Sequence, residues 1–490
     1  MSERIEDIIA FRRKKLESLK EAGIDPYPSE TARDTTTIEA LNNFESLAES
    51  QKTVTVSGRI RSIRVQGKVG FMHIEDPSGR LQLFFKADAL ADRYELLQLF
   101  DLGDFLEASG ILFKTKTEEK TLDVKSFRIL AKSLRPLPSE FYGLENQEIR
   151  LRKRYLDMIM NPEVRELFQK KSVFWASIQQ FLVEAGFLQV EAPVLEAVPG
   201  GAEAEPFVTH HNALDRDFYL RISLELPLKK IIVGGFEKVF EIGRVFRNEG
   251  IDTEHLQDYT AMEFYWAYAD FEKMIEFVQK MYQSVIQKTC GSLKTSYQGS
   301  EIDWSGDWPR LDYFELFGKH TGLDLAKATE ADLKNYAKEN HISFEEFAGK
   351  GRLIDLIFKK KIRSLPEVSM QPAFLINQPV EIEPLAKRVP GNPLAVQRMQ
   401  ILACGSELGK GFGELNDPLD QRSRFEEQMK LRERGDAEAQ MIDEDYLEAM
   451  EYGMPPLAGF GMAERLFAVL MDKSIRETVI FPPMKSEEGH

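Results

Sequence analysis

The pattern of hydrophobic and polar positions changes period along this chain of 490 residues. In the first 20 residues Ile5, Ile8, Ile9, Leu16 and Leu19 fall at helical spacing among charged side chains, which predicts an amphipathic helix ending at Gly23. The segment IDPYPSE that follows is turn-rich and broken by proline. From Thr53 to about Ala131 the period drops to two: VTVSGRI, GFMHIED, GRLQLFF, FLEASGILF and LDVKSFRIL read as short strands, and ALADRYELLQLF reads as a helical insertion. Five strands with glycine turns predict a small Greek-key barrel of the OB type. Pro136-Leu137-Pro138 marks a linker, and beyond about Asn161 helices alternate with strands that read as antiparallel, so the expected class is α+β, not a Rossmann fold. The expected divisions are an N-terminal helix and arm over 1–50, a barrel over 51–135, a linker over 136–160 and a larger domain over 161–490.

Alternation also sorts the polar residues. In the segment Gly243 to Ala269, Val245, Arg247 and Glu249 share one strand face, and Tyr259, Glu263 and Tyr265 share a face on the return strand; Thr260, Met262, Phe264 and Trp266 take the other. By themselves, Arg247 and Glu263 fit either an ion pair on a solvent-facing sheet or the floor of a site for a small charged ligand. Farther on, GKGFGELND puts Lys410, Phe412 and Glu414 on one face. FYLRISLELPLKKIIVGGF reads as a strand turning into a helix stopped by Gly234-Gly235, with Glu225 near the start, where the helix dipole favours a carboxylate. In the barrel, Met72, Ile74, Leu81 and Leu83 form the core face, which leaves Phe71 and Gln82 outside with Arg61 and Arg64 nearby. A phenylalanine beside a glutamine stacks one base and hydrogen-bonds another, the usual way single-stranded RNA is read; the alternative packs Phe71 under the insertion.

Composition narrows the class. With 43% hydrophobic residues the chain buries a large core and holds two or more domains. A net charge of -16 repels phosphate, so an RNA partner has to meet local basic surfaces. Two sections qualify: residues 11–20, with five basic side chains against one acidic, and residues 51–130, with 13 against 11. For the helix, a solvated face on a docking element and RNA contact both stay open. Cys290 and Cys404 alone exclude a disulfide framework and a four-thiolate zinc site, and read as free thiols in a reducing cytosol. The N-terminus is charged from residue 3 and no 18-residue apolar run follows, so neither signal peptide nor membrane span is predicted and a cytoplasmic location is expected.

The run Phe246-Arg247-Asn248-Glu249, with its flanks EKVFEIGRVFRNEG and AMEFYWAYAD, resembles motif 2 of the class II aminoacyl-tRNA synthetases, and within them the lysyl branch, over nearly the whole chain. GFLQVEAPVLEAVPGGAEAEPF is similar to motif 1 and AGFGMAERL to motif 3, in the family's order. The resemblance implies activation of lysine with ATP and transfer to the 3′ end of tRNA(Lys), with Mg2+ and a homodimer whose interface includes Pro193. It implies a lysine pocket of Gly201, Glu225, Glu263, Tyr265, Phe412 and Glu414, with Glu225 and Glu263 near the α-amino group and Glu414 and Tyr265 on the ε-ammonium. Carboxylates at both ends and an aromatic between them suit a diamine with an apolar stem. It also implies catalytic Arg247, Glu249 and Arg465, ATP contacts from Arg247, His255, Tyr259 and Arg465, Mg2+ at Glu407, and a barrel that binds a U-rich anticodon through Phe71 and Gln82, beside Arg61 and Arg64. Three rivals share parts of this pattern, of which a protein-modifying lysine ligase resembles only the catalytic half and normally lacks the barrel. An aspartyl or asparaginyl enzyme is disfavoured by the pocket glutamates, and a non-catalytic RNA-binding paralogue by the retained Arg247 and Arg465.

Departures from the family pattern concern charge. Glu254 stands where the family usually has arginine, Lys410 where it has asparagine, Gln400 where it has a second metal-binding glutamate, and motif 3 is about one residue shorter. One expectation joins them: Lys410 supplies the missing loop cation, and the site with Gln400 holds fewer magnesium ions.

Overall fold

The computed structural model describes residues 2–138, 146–250, 256–346, 348–435 and 439–485. The chain divides into two compact units, Met1–Glu145 and Asn146–His490.

In the first unit the strands β1 (Val54–Gln66), β2 (Val69–Asp76), β3 (Gly79–Lys86), β4 (Phe105–Lys114) and β5 (Lys120–Ala131) close into a barrel in the order β1-β2-β3-β5-β4. The period of two drives the closure: Met72, Ile74, Leu81, Leu83, Leu122 and Val124 all point inward and are buried. The insertion is not one continuous helix. A single turn at Ala87–Leu90 passes into a 3-10 helix at Ala91–Leu99, because Ala91 adopts a φ of 48° and breaks the α-helical run. It still sends Leu90, Tyr94 and Leu97 into the barrel core. The N-terminal helix Ser2–Glu21 docks on the barrel through Leu19 and through Arg12, whose guanidinium donates to the carbonyls of Ser133 and Arg135 at 3.2 and 3.1 Å. Lys15 pairs with Asp101 at 2.8 Å, so two of the helix's basic side chains serve docking.

The second unit opens with two short helices, Gln147–Arg152 and Arg154–Met160, joined by Asp157, which pairs with Arg150 and Arg154 at 2.7 and 2.9 Å. Its strands are β6 (Leu188–Gln189), a small sheet of β7 (Leu195–Glu196), β8 (Val208–His211) and β9 (Arg216–Leu220), the hairpin β10 (Lys238–Phe246) and β11 (Asp258–Ala267), a second hairpin β12 (Lys294–Tyr297) and β13 (Ser300–Asp303), then β14 (Arg310–Asp312), β15 (Ala373–Pro379), β16 (Arg388–Val389), β17 (Asn392–Ala403), β18 (Ser406–Gly413) and β19 (Leu457–Ala463). A sheet of order β14-β15-β17-β18-β19-β11-β10-β6 runs through the unit, with β16 paired to β17. Its interior pairs are antiparallel and its two terminal pairs, β14 with β15 and β10 with β6, are parallel. This is the mixed α+β arrangement, without a doubly wound core.

One face of the sheet is closed. Helices Pro162–Glu184 and Phe271–Cys290 bury Phe174, Ile178, Met274, Val278 and Met281 against Phe240, Met262, Phe264 and Phe460. The second helix is fixed at both ends, by the Asp270 carboxylate accepting from the Lys273 amide and by Gly291 in the left-handed region. The other face, which carries the odd-numbered residues of β11, is left to line a cavity. Among the described residues no helix is long and apolar enough to cross a membrane.

Candidate active site

A cavity of about 350 Å³ opens on that face. Its lining brings together Gly201, Glu225, Arg247, Glu249, Tyr259 and Glu263 with Tyr265, Gln400, Glu407, Phe412, Glu414 and Arg465. The register explains the convergence: Val245 lies opposite Tyr259 in the hairpin, Phe412 opposite Arg398, and Lys410 between Gln400 and Gly461. Strict alternation from Lys410 would turn Glu407 to the closed face. A bulge, with Ile401 opposite Gly409 and Leu402 opposite Glu407, adds one residue at Leu408 and returns the Glu407 carboxylate to the cavity. Pro193 is exposed and lies outside the lining, and His255 and Glu254 fall outside the described residues.

On the acidic side, carboxylates are buried and interlocked. Glu263 accepts from the Ser223 hydroxyl at 2.8 Å, from the Leu224 amide at 3.0 Å and from the Tyr265 hydroxyl at 3.0 Å. Glu225, the first residue of the helix Glu225–Val233, is 3% exposed and Glu414 is 1% exposed. Between them stands Lys229, one helical turn from Glu225, with its ammonium 2.5 Å from each carboxylate. Yet both Glu414 oxygens lack an aligned hydrogen-bond donor among the described residues. Burial and the neighbouring carboxylates push the Glu225 carboxyl up to about 7 and the Glu414 carboxyl up to about 8, while the two partners hold Lys229 firmly protonated. One ammonium shared by two buried carboxylates leaves the pair short of positive charge. Glycines make the room: a side chain at Gly459 would collide with Glu414 and Tyr265, and one at Gly201 would come within 2.8 Å of the Glu225 Cβ.

The opposite side is basic and more open. Arg247 donates to the Ile222 carbonyl at 3.3 Å and lies over the Tyr259 ring at 5.6 Å. Arg465 donates to the Glu407 carbonyl at 3.3 Å. The Gln400 amide donates to the Glu407 carboxylate at 2.6 Å and accepts from Gln378 at 2.9 Å. Lys410 and Arg398 flank Glu383 at 4.0 and 3.5 Å and reach toward the Phe412 ring from 5.4 and 6.0 Å. Among the described residues no cluster of three or more metal-ligating side chains exists; Glu407 lines the cavity with the neutral Gln400 amide beside it.

On the barrel, Phe71 is half-buried and stacks on Phe84 at 4.8 Å, which in turn meets Phe113 at 5.8 Å. Gln82 is more covered than expected, at 9% exposure, because its amide bonds Glu119 at 2.7 Å and Thr121 at 2.7 Å. The Arg61 side chain is buried 3.4 Å from Glu75, whereas Arg64 is exposed and reaches Gln66 at 3.4 Å. Phe84 was readable in principle, since it shares a face with Gln82 two residues earlier. Nothing in the sequence marks Glu119, which sits in the β4–β5 turn. In the cavity, Lys229 was legible as an i,i+4 partner of Glu225, but Ser223, Glu383 and Arg398 reach the site only through tertiary register.

An OB barrel in one unit, and in the other an antiparallel sheet carrying arginines beside a buried carboxylate pocket, define a class II aminoacyl-tRNA synthetase. Residues 146–485 match the family described as tRNA synthetases class II (D, K and N), and residues 54–130 match the OB-fold nucleic acid binding domain. The chain is 43% identical to a lysine–tRNA ligase of Carboxydothermus hydrogenoformans, with 99% of both chains covered. It is 40% identical to those of Halalkalibacterium halodurans and Staphylococcus epidermidis, over 99% of its length and 98% and 100% of theirs. The chain belongs to the lysine–tRNA ligase family.

Proposed function

We propose that the cavity is the site where lysine, ATP and the tRNA 3′ end meet, with each side serving one reactant. The family's reaction is ligation of lysine to tRNA at the expense of ATP. The observation that carries the residue assignment is the convergence of Glu225, Glu263 and Glu414 with Tyr265 and Phe412 in one cavity that also holds Arg247 and Arg465. Glu225 and Glu263 receive the α-ammonium, Phe412 packs along the stem, and Glu414 with Tyr265 receives the ε-ammonium, for which its undonated oxygens are suited.

Little acid or base catalysis is required. The lysine carboxylate attacks the α-phosphorus of ATP and pyrophosphate leaves; the 3′-hydroxyl of tRNA then displaces AMP from the adenylate. The protein aligns two anions and offsets charge on the phosphate as it develops. Arg247 bridges the carboxylate and the α-phosphate, since a guanidinium grips two oxygens at once. Tyr259 stacks on adenine, Glu249 lines the same wall, and Arg465 takes the terminal phosphates, with His255 assigned to them by resemblance alone. The donor set fits one Mg2+ at Glu407, a hard cation that works with a single protein carboxylate plus phosphate oxygens, and it would neutralise phosphate charge there.

The barrel's outer face, Phe71 with Gln82 and Arg64, is assigned to the anticodon, with the Phe84 ring extending the stacking surface; Arg61, buried beside Glu75, is left out of the assignment. A homodimer through the motif 1 region is supported by Pro193, Val194, Leu195 and Val208, which leave an apolar stretch exposed on and beside the small sheet. ATP–pyrophosphate exchange screened over the standard amino acids tests the central assignment. A lysine-only signal is expected, and exchange supported by aspartate or asparagine instead would overturn it.

A further inference from the structure

Lys229 is the most deeply enclosed charge in the acidic cluster. It is 0% exposed, does not line the cavity, and lies behind two residues that do. Its ammonium contacts Glu225 on its own helix and Glu414 at the end of β18, each at 2.5 Å, and sits 5.7 Å from the Tyr265 ring of β11. Tyr446, from the helix Glu444–Glu451, is close enough to influence its charge. Glu263 and Glu383 are the further acidic groups whose charge reaches the pair. A lysine buried this way is costly unless something depends on it, since an apolar residue of similar volume often fills such a place without loss.

Charge balance indicates what depends on it. Three carboxylates, Glu225, Glu263 and Glu414, face a ligand proposed to carry two ammonium groups. Without an internal cation one carboxylate would be left unpaired in a buried pocket, and its hold on a proton, already strengthened by burial, would strengthen further at the expense of its ability to select a cation. We propose that Lys229 is a positioning residue for lysine recognition: its fixed ammonium holds Glu225 and Glu414 in place and reduces the pocket's surplus to two negative charges, matching a diamine. The alignment supports this division. The Lys229 contact to Glu414 is ionic without satisfying either oxygen as a hydrogen-bond acceptor, so the carboxylate is retained by one cation and open to a second. Glu225, by contrast, accepts a hydrogen bond from Lys229.

This inference rests on the lysine pocket proposed above, so its test runs beside Glu414→Gln. In Lys229→Met, KM for lysine in pyrophosphate exchange is expected to rise roughly tenfold or more while KM for ATP stays within about twofold. The acid limb of kcat/KM for lysine should also move to higher pH, because the carboxylates lose the cation that favours their ionised form. Lys229→Arg, which restores the charge, should recover part of the lysine affinity. If Lys229→Met does not fold, Lys229→Gln, which keeps donors without charge, carries the same expectations. A merely structural lysine would lower stability and leave the KM ratio and the acid limb unchanged; that result, with Glu414→Gln defective, overturns the role of Lys229 alone. Glu414→Gln behaving as wild type would overturn the pocket reading itself.

Discussion

The two sides of the cavity handle charge differently. On the acidic side Glu225 and Glu414 are buried and Glu263 is partly so, and the three are tied to Lys229, Ser223, Leu224 and Tyr265 by contacts of 2.5 to 3.0 Å. On the basic side Lys410 retains 35% of its side-chain exposure and meets its nearest carboxylate only at 4.0 Å. In a dry site an interaction between charges is strong and an unpaired charge is costly, so the geometry there is fixed on folding. Near water each pair contributes little, and cations stay solvated until the triphosphate arrives. Of the two departures on the basic side, Lys410 is the one that keeps contact with water, where the physics tolerates a changed charge, whereas Gln400 is buried and replaces a charge with a neutral amide; the glutamates of the acidic side are all retained.

The largest effect is expected where the basic side contacts the reacting atoms. Arg247→Lys keeps the charge but loses the planar fork proposed to bridge carboxylate and α-phosphate. Single-turnover adenylate formation should slow by roughly 10²- to 10³-fold, with lysine binding little changed. A loss of only a few fold would show that Arg247 acts as one more solvated cation, and would extend the tolerant side right up to the chemistry.

Next comes the acidic side itself. Glu414→Gln would remove the charged hydrogen bond proposed to reach the ε-ammonium, worth about 1.5 to 3 kcal/mol, and should cost roughly 10 to 150-fold in lysine kcat/KM. The same contact carries a pH signature. Glu414 and Glu225 are raised to about 8 and about 7 in the free pocket, and only their ionised forms pair with an ammonium. Lysine affinity should therefore be highest above about 8 and fall as pH drops through 8 to 7, with protons released on binding in that window. Calorimetric titration in buffers of different ionisation heat reads that release directly. Proton release that stays absent near neutral pH would mean the carboxylates are already fully compensated before lysine arrives.

How far the sequence foretold this arrangement depends on what set each position. Alternation alone sorted Arg247, Glu249, Tyr259, Glu263 and Tyr265 from Met262 and Phe264, because one face of β10 and β11 is packed by two amphipathic helices and the other is not. It sorted the barrel core equally well, where Met72, Ile74, Leu81 and Leu83 are all buried. It could not have placed Glu407, where the bulge at Leu408 reverses the phase, and it misled at Gln82, whose outward amide is covered by Glu119 from a turn. Such features arise from tertiary pairing and leave no local trace. The insertion after β3 went astray for a backbone reason, the positive φ of Ala91, which its residue type does not announce.

The smallest effect should come from Lys410→Asn, which returns that position to the residue usual in the family. Lys410 lies across from Gln400 in the register, has its ammonium 4.0 Å from Glu383, and lines the same cavity as Glu407, where phosphate charge is expected. Because it is half in water, the interaction is comparable to an exposed ion pair of about 0.2 to 1 kcal/mol. ATP binding measured at fixed magnesium should weaken roughly two- to fivefold, and the difference should shrink as salt rises, since the Debye length falls to about 8 Å near 0.15 M. Unaltered ATP affinity would exclude the idea that Lys410 compensates for the charge missing from the 251–255 loop. A loss as large as that of Glu414→Gln, insensitive to salt, would place Lys410 among the interlocked charges and erase the distinction between the two sides.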